Sequence, residues 1–276
     1  SFTFGMGMRK EDIYTEVLEA KLNAKNDGFK YEVINMGSIG YTIDNEYLLL
    51  RDKGMQLDPD MVILAFFAGN DVTEISRHKL LYENGELVAL EDRKHYVDEE
   101  HRLRIKGEDE PLSYFFNELK KRYEIMKKKL GVYEDPEAEP TLTWPAFLAD
   151  DDPHGNPKLP EYWQVYDDLL GSLSQTMKAF DIDFKVLAIP MDVQTHPRYW
   201  GKYAEMYFDE EAYDLSRPQR KMAELTEKYG IDFIDLLPYF RVVSNNVWYY
   251  FEKEDPHWTA DGHKFAAEVI YSNLNL

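Results

Sequence analysis

The sequence predicts an α/β domain built on a parallel sheet, and three observations carry that prediction. Residues 61–67, "MVILAFF", form a continuous apolar run, as a parallel strand covered on both faces requires. Short apolar runs alternate with stretches of helical period before residue 70 and again from 161 onward, the rhythm of βαβ units. The chain has 276 residues, 44% hydrophobic and 14% aromatic, enough for one sizeable core.

Each element follows from its pattern. Residues 11–23 place Ile13, Val17, Leu18 and Leu22 at helical spacing. "YEVINMG" (31–37) reads as a short strand ending in a glycine turn, 43–56 as a helix, and 61–67 as the next strand. "LLYENGELVAL" carries Asn-Gly between apolar flanks, a hairpin signal, and "HYVDEEHRLRI" adds a second strand pair. Residues 112–131 are of helical character and end on glycine, whereas 132–160 are rich in Pro and Asp. Residues 74–160 together read as an insertion or lid within one domain spanning 1–276. A helix at 161–180, a strand at 183–190, a helix at 217–229, a strand at 231–236 and a last helix at 260–274 complete the series. Phe265, Ala266, Val269, Ile270 and Leu274 form the buried stripe of that last helix.

Charge and composition remove several function classes. The 52 acidic against 32 basic residues give a net charge of −20, which repels a nucleic-acid backbone or an anionic membrane surface. With no cysteine there are no disulfides, thiolate metal sites or cysteine nucleophiles. No stretch approaches the length of apolar chain that spans a bilayer. A leader or anchor ahead of Ser1 lies beyond what this sequence shows. "DDDPHGN" (150–156) lacks the spacing of a calcium loop, so no metal site is expected.

In parallel sheets ligands sit beyond the carboxyl ends of the strands, so Gly37–Gly40, Gly69–Asp71 and the loop 190–200 are expected to face one crevice. Acyl transfer at a serine needs an imidazole base, a carboxylate to orient it, and donors aimed at the developing oxyanion. Asp255 and His257 in "EDPHWTADGH" (254–263) supply acid and base from one loop; the backbone at Gly40, the Asn70 amide and the Ser1 N–H supply donors. Asp71 is expected to brace its loop, His263 to pack near the site, and Thr259 to cap the last helix.

Four stretches, in order, resemble the blocks of the SGNH hydrolases, the GDSL esterases and lipases: "SFTFG" from Ser1, "NMGSIGYT" (35–42), "GND" (69–71) and "DPH" (255–257). The resemblance implies a three-layer α/β/α sandwich with a flavodoxin-like parallel sheet, whose first strand, ending in Gly-Asp, would stand ahead of Ser1. It implies Ser1 as nucleophile, His257 as base and Asp255 as the orienting acid, with Ser1, Gly40 and Asn70 as the oxyanion hole and Gly37 as competitor to Gly40. In the family the acid usually precedes the histidine by three residues, which makes Glu254 the reserve. Asp-x-His followed by Trp and Thr is closer to the branch containing polysaccharide O-acetyltransferases. The activity implied is hydrolysis of a small acyl ester of a carbohydrate or lipid alcohol through an acyl-enzyme, with no cofactor; the alternatives are O-acyl transfer to a polysaccharide and glycan binding without catalysis. A secreted or cell-envelope location fits the resemblance. Most of the aromatics are expected in the core; Arg198, Trp200 and Trp258 are candidates for holding the substrate, Arg198 through an acidic group and the aromatics of 194–207, Trp200 among them, through a sugar face. A serine at position 1 could instead use its own amine as base, which leaves the Asp-Pro-His block idle.

Overall fold

The computed structural model describes residues 1–77, 81–83, 86–88, 95–97, 103–105, 159–199, 214–243, 247–251, 255–274 and 276. After a 3-10 turn at Lys10–Asp12 come α1 (Tyr14–Ala24), α2 (Ile43–Asp52), a 3-10 turn at Gly54–Leu57 and β1 (Met61–Phe67). Four short strands follow: β2 (Leu81–Glu83), β3 (Glu86–Val88), β4 (His95–Val97) and β5 (Leu103–Ile105). The chain continues through α3 (Leu159–Ala179), β6 (Asp183–Ile189), α4 (Asp192–Thr195), α5 (Arg217–Tyr229), β7 (Asp232–Asp235), α6 (Leu237–Val243) and α7 (Ala260–Asn273).

The chain divides into two compact units. One comprises Ser1–His78 with Leu142–Leu276 and holds a parallel sheet of order β1-β6-β7 flanked by helices, an α/β sandwich. Strand β6, in the middle, is buried from Phe184 to Ile189, as a strand covered on both faces must be. The register pairs Phe67 with Ile189 and Ala188 with Asp235, so the loops after β1, β6 and β7 leave the sheet at one edge. Helix α1 packs on α7, α2 on α3, and α3 on α5. The other unit, Lys79–Thr141, holds two antiparallel pairs. Glu83 pairs with Glu86 and His95 with Ile105, at the two places where the sequence predicts strand pairs.

Local chemistry explains the helix ends. Helix α5 begins with Pro218 in its first turn, where no N–H partner is needed, and stops at Gly230 in the left-handed region (φ +63°), whose N–H returns to Glu227 O. The N-cap Thr259 of α7 accepts from Gly262 N, as expected of a threonine before a helix. The stretch 43–56 does not form one helix. The α-helix ends at Asp52, a 3-10 turn follows, and Asp58 takes up a left-handed φ of +51° before β1.

The segment 31–37 forms no strand, contrary to its pattern. An extended chain joins a sheet only when its amides find a ladder, and here side chains take them. Asn23 Oδ1 accepts from Tyr31 N (3.0 Å), Glu19 Oε2 from Val33 N (2.7 Å), and Asn35 Oδ1 from Gly37 N (2.9 Å). The helix expected at 112–131, and 132–158 beyond it, lie outside the described residues. Among the described residues no helix is long and apolar enough to cross a membrane.

At the α1–α7 contact, buried His263 accepts Tyr14 N at Nδ1 (3.3 Å) and stands edge-on to Trp258. Burial, then the neighbouring His257, pulls its pKa from 6.5 down to about 4. The unfolded chain takes up this proton near 6.5 and the native state only near 4. The contribution to stability is therefore complete above 6.5 and falls as pH drops through that window, by about 3 kcal/mol in all. Buried Glu46, pushed up to about 7, acts with the opposite sign as pH rises, so the difference between two proteins isolates the histidine. In urea unfolding, the stability gap between the parent protein and His263→Gln is expected to narrow by about 3 kcal/mol from pH 7 to pH 4. A gap independent of pH contradicts this.

Candidate active site

Ser1 opens a tight loop in which Gly5 and Gly7 take left-handed φ values of +79° and +77°. Its neighbour Phe2 is 2% exposed, with its ring 4.6 Å from that of Phe67 at the end of β1 and 4.9 Å from the imidazole of His257. Burial of Phe2 thus fixes where the serine stands. Asn35 ties the loop to the turn at 35–37. Its Nδ2 donates to Thr3 O (2.5 Å) and Thr15 Oγ1 (3.0 Å). Gly37 lies against the same loop, where a Cβ would stand 2.5 Å from Thr3 Cβ and 2.6 Å from Phe4 N, so only glycine fits.

His257 is carried by a short two-stranded ribbon. Phe251 N donates to His257 O (3.1 Å), Tyr250 bridges Trp258, and Thr259 N donates to Tyr249 O (2.9 Å). Asp255 Oδ1 accepts His257 N (2.9 Å) and lies 2.6 Å from His257 Nδ1. On the other side of the ring, Nε2 is 2.7 Å from Ser1 Oγ. A carboxylate at Nδ1 favours the tautomer protonated there, which leaves Nε2 as acceptor for the Ser1 hydroxyl. The side chain of Asp255 is 44% exposed and that of His257 12%, so the pair faces the surface with the imidazole the more sheltered.

Ser1, Gly37, Gly40, Glu46, Asn70 and Asp71 are among the residues lining one cavity at the edge of the sheet where β1 ends. Gly40 has a φ of +71°, and no atom lies within 4 Å of where a Cβ would stand, so it serves a turn and leaves its surroundings open. Asn70 O accepts Glu74 N (2.8 Å) and Thr73 Oγ1 (3.2 Å), which holds the backbone of a residue that borders the cavity. Ser1 N donates to Ser38 O (3.2 Å). Asp71 Oδ2 accepts Phe67 N (2.7 Å), closing the loop after β1, the bracing role expected of it. Two carboxyls here have raised pKa values. Burial pushes Glu46 up to about 7, and burial followed by the charge of Glu46 pushes Asp71 well above the usual range.

The remaining expected residues fall elsewhere. Trp258 is fully buried against Phe2, Phe240 and His263, so it is part of the core and not a surface for substrate, a correction to the sequence reading. Arg198 lies in the loop after β6, with its guanidinium 4.9 Å from the ring centroid of Trp248. Trp200 and Glu254 are outside the described residues. Trp248 carries no signal of its own in the sequence, whereas Phe2 and Asn35 belong to the blocks "SFTFG" and "NMGSIGYT" without having been assigned a role there. Among the described residues no cluster of His, Asp and Glu is arranged to hold a metal ion.

No family model matches the sequence, and no curated protein matches it. Among solved structures, the chain is similar to the crystal structure of an acetyl xylan esterase, AlAXEase. The match has 15% identity and a TM-score of 0.50, and covers 99% of this chain and 96% of that one. That likeness is one of fold. A further solved structure covers 40% of this chain and 51% of its own at 17% identity, with a TM-score of 0.26, too low to carry an argument.

Proposed function

We propose that the protein is a serine-dependent acyl-ester hydrolase of the SGNH type, a deacetylase-like esterase acting on a small acyl group of a carbohydrate or lipid alcohol. One observation carries the reading. A hydroxyl at residue 1 and an imidazole at residue 257 lie 2.7 Å apart, with the carboxylate of Asp255 2.6 Å from the other ring nitrogen. In this reading Ser1 Oγ attacks the ester carbonyl while His257 Nε2 takes its proton. The oxyanion of the tetrahedral intermediate is met by Gly40 N–H and the Asn70 amide; the Ser1 N–H joins them as third donor when it leaves Ser38 O. His257 then passes the proton to the leaving alcohol, leaving Ser1 acylated. Water, deprotonated by the same imidazole, releases the acid. Asp255 stabilises the imidazolium in both halves. The similar acetyl xylan esterase supports acetyl as the acyl group and a sugar as the alcohol. The domain reading that accompanies this is one catalytic domain over 1–276 with 74–160 inserted in it.

The test is covalent labelling. A fluorophosphonate is expected to modify the folded protein once, on the peptide containing Ser1, with the adduct lost in His257→Gln. A folded protein that takes no label, or takes it elsewhere, overturns the reading.

A further inference from the structure

We propose that Trp248 is the stacking platform for a pyranose ring of the alcohol half of the ester, which makes the substrate an acylated oligosaccharide; this rests on the esterase reading above. A single exposed aromatic is ordinary on a protein surface. Trp248 differs because it is exposed, at 42%, and yet held. The guanidinium of Arg198 lies 4.9 Å from its ring centroid, and Tyr199 meets it edge-on at 5.6 Å. Its carbonyl accepts Thr259 Oγ1 at 2.8 Å.

Arg198 is itself fixed for this purpose. Its Nε and its backbone N both donate to His196 Nδ1, at 3.2 and 3.0 Å. Its Nη2 is buried without an acceptor among the described residues, in a chain of 52 acidic and 32 basic residues. Among the described residues this guanidinium pairs with no carboxylate; its visible work is under the indole. An aromatic ring immobilised before binding loses less freedom when a ligand arrives. The polarised C–H groups of a pyranose face match the negative π-face of an indole.

Position supports the same conclusion. Trp248 sits on the ribbon whose Phe251 N–H bonds His257 O, and its partner Arg198 lies in the loop after β6, which leaves the sheet at the same edge as the loops after β1 and β7. A sugar held on Trp248 is therefore at the edge of the sheet where the cavity beside Ser1 opens.

The test compares partly acetylated β-1,4-linked tetrasaccharides of glucose, mannose, xylose and N-acetylglucosamine with 4-nitrophenyl acetate, which has no sugar. In Trp248→Ala the ratio of kcat/KM for the best tetrasaccharide to that for 4-nitrophenyl acetate is expected to fall about tenfold or more, through KM, as loss of one stacking contact implies. Trp248→Phe is expected to recover most of that ratio. A ratio within twofold of the parent protein in Trp248→Ala overturns the platform while leaving the hydrolase intact. Should the parent protein hydrolyse none of these esters, the esterase reading fails, and calorimetric titration with the same tetrasaccharides decides the platform alone. Binding weakened tenfold by Trp248→Ala supports it, and no binding by the parent protein overturns it.

Discussion

His257→Gln is expected to lower kcat for 4-nitrophenyl acetate by about 10⁴–10⁶-fold, the loss typical when the base of a serine–histidine pair is removed. The geometry explains the size. His257 Nε2 is the acceptor 2.7 Å from Ser1 Oγ, and glutamine cannot take a proton from a hydroxyl at neutral pH. Both the attack and the deacylation pass their proton through this ring, so no half of the reaction escapes. The loss corresponds to about 5–8 kcal/mol of transition-state stabilisation. KM is expected to move only a few-fold, since the imidazole contacts the serine and not the body of the ester. Asp255→Asn is expected to lose less than the histidine variant or as much, about 10⁴-fold, because the amide can present its N–H to Nδ1 and select the wrong tautomer. Stopped assays with purified, folded variants decide the matter; a His257→Gln protein retaining a hundredth of the parent rate removes His257 from the chemistry.

Gly262→Ala is expected to be the most damaging single-methyl change to stability. A Cβ there would overlap Tyr249 O and stand 2.9 Å from Trp258 Cβ. The first contact is with backbone, so no side-chain rotation relieves it. Helix α7 or the ribbon must move, and the ribbon carries His257. Overpacking of this kind costs about 3 kcal/mol, which in a unit of this size lowers Tm by roughly 6–12 °C. The displacement also draws the imidazole away from Ser1, so activity is expected to fall even where the variant remains folded. Gly40→Ala is the control. It has open space around it and a left-handed φ, so its cost is one of backbone strain and about 1–2 kcal/mol. Thermal melts checked by urea unfolding separate the two, and a Gly262→Ala protein melting within 2 °C of the parent contradicts the steric argument.

Much of this was legible where a signal is local. The run at 61–67 became β1 over the same residues, and 217–229 became α5 between a proline and a glycine that mark its ends. Asp255 and His257 were readable because two residues suffice to express an acid and a base in one loop. The segment 31–37 was misread because its pattern speaks of apolar alternation, whereas its fate is decided by Glu19 and Asn23 on α1, more than a dozen and eight residues away. Trp258 directly follows His257, and adjacency in sequence says nothing of burial. Its own burial depends on Phe2, Phe240 and His263, none of which is its immediate neighbour in sequence. The indole of Trp248 was invisible for the same reason, since the cation beneath it comes from a loop 50 residues earlier.

One carboxylate oxygen of Asp255 receives both the amide and the ring of a residue two positions on. The separation of those two groups is therefore dictated by chain connectivity and not by how well the interior happens to be filled. Distortion elsewhere can carry the whole pair off as a cartridge, intact, while its register against the serine is lost. The weak joint of such a machine is the docking of that cartridge, and never its internal calibration.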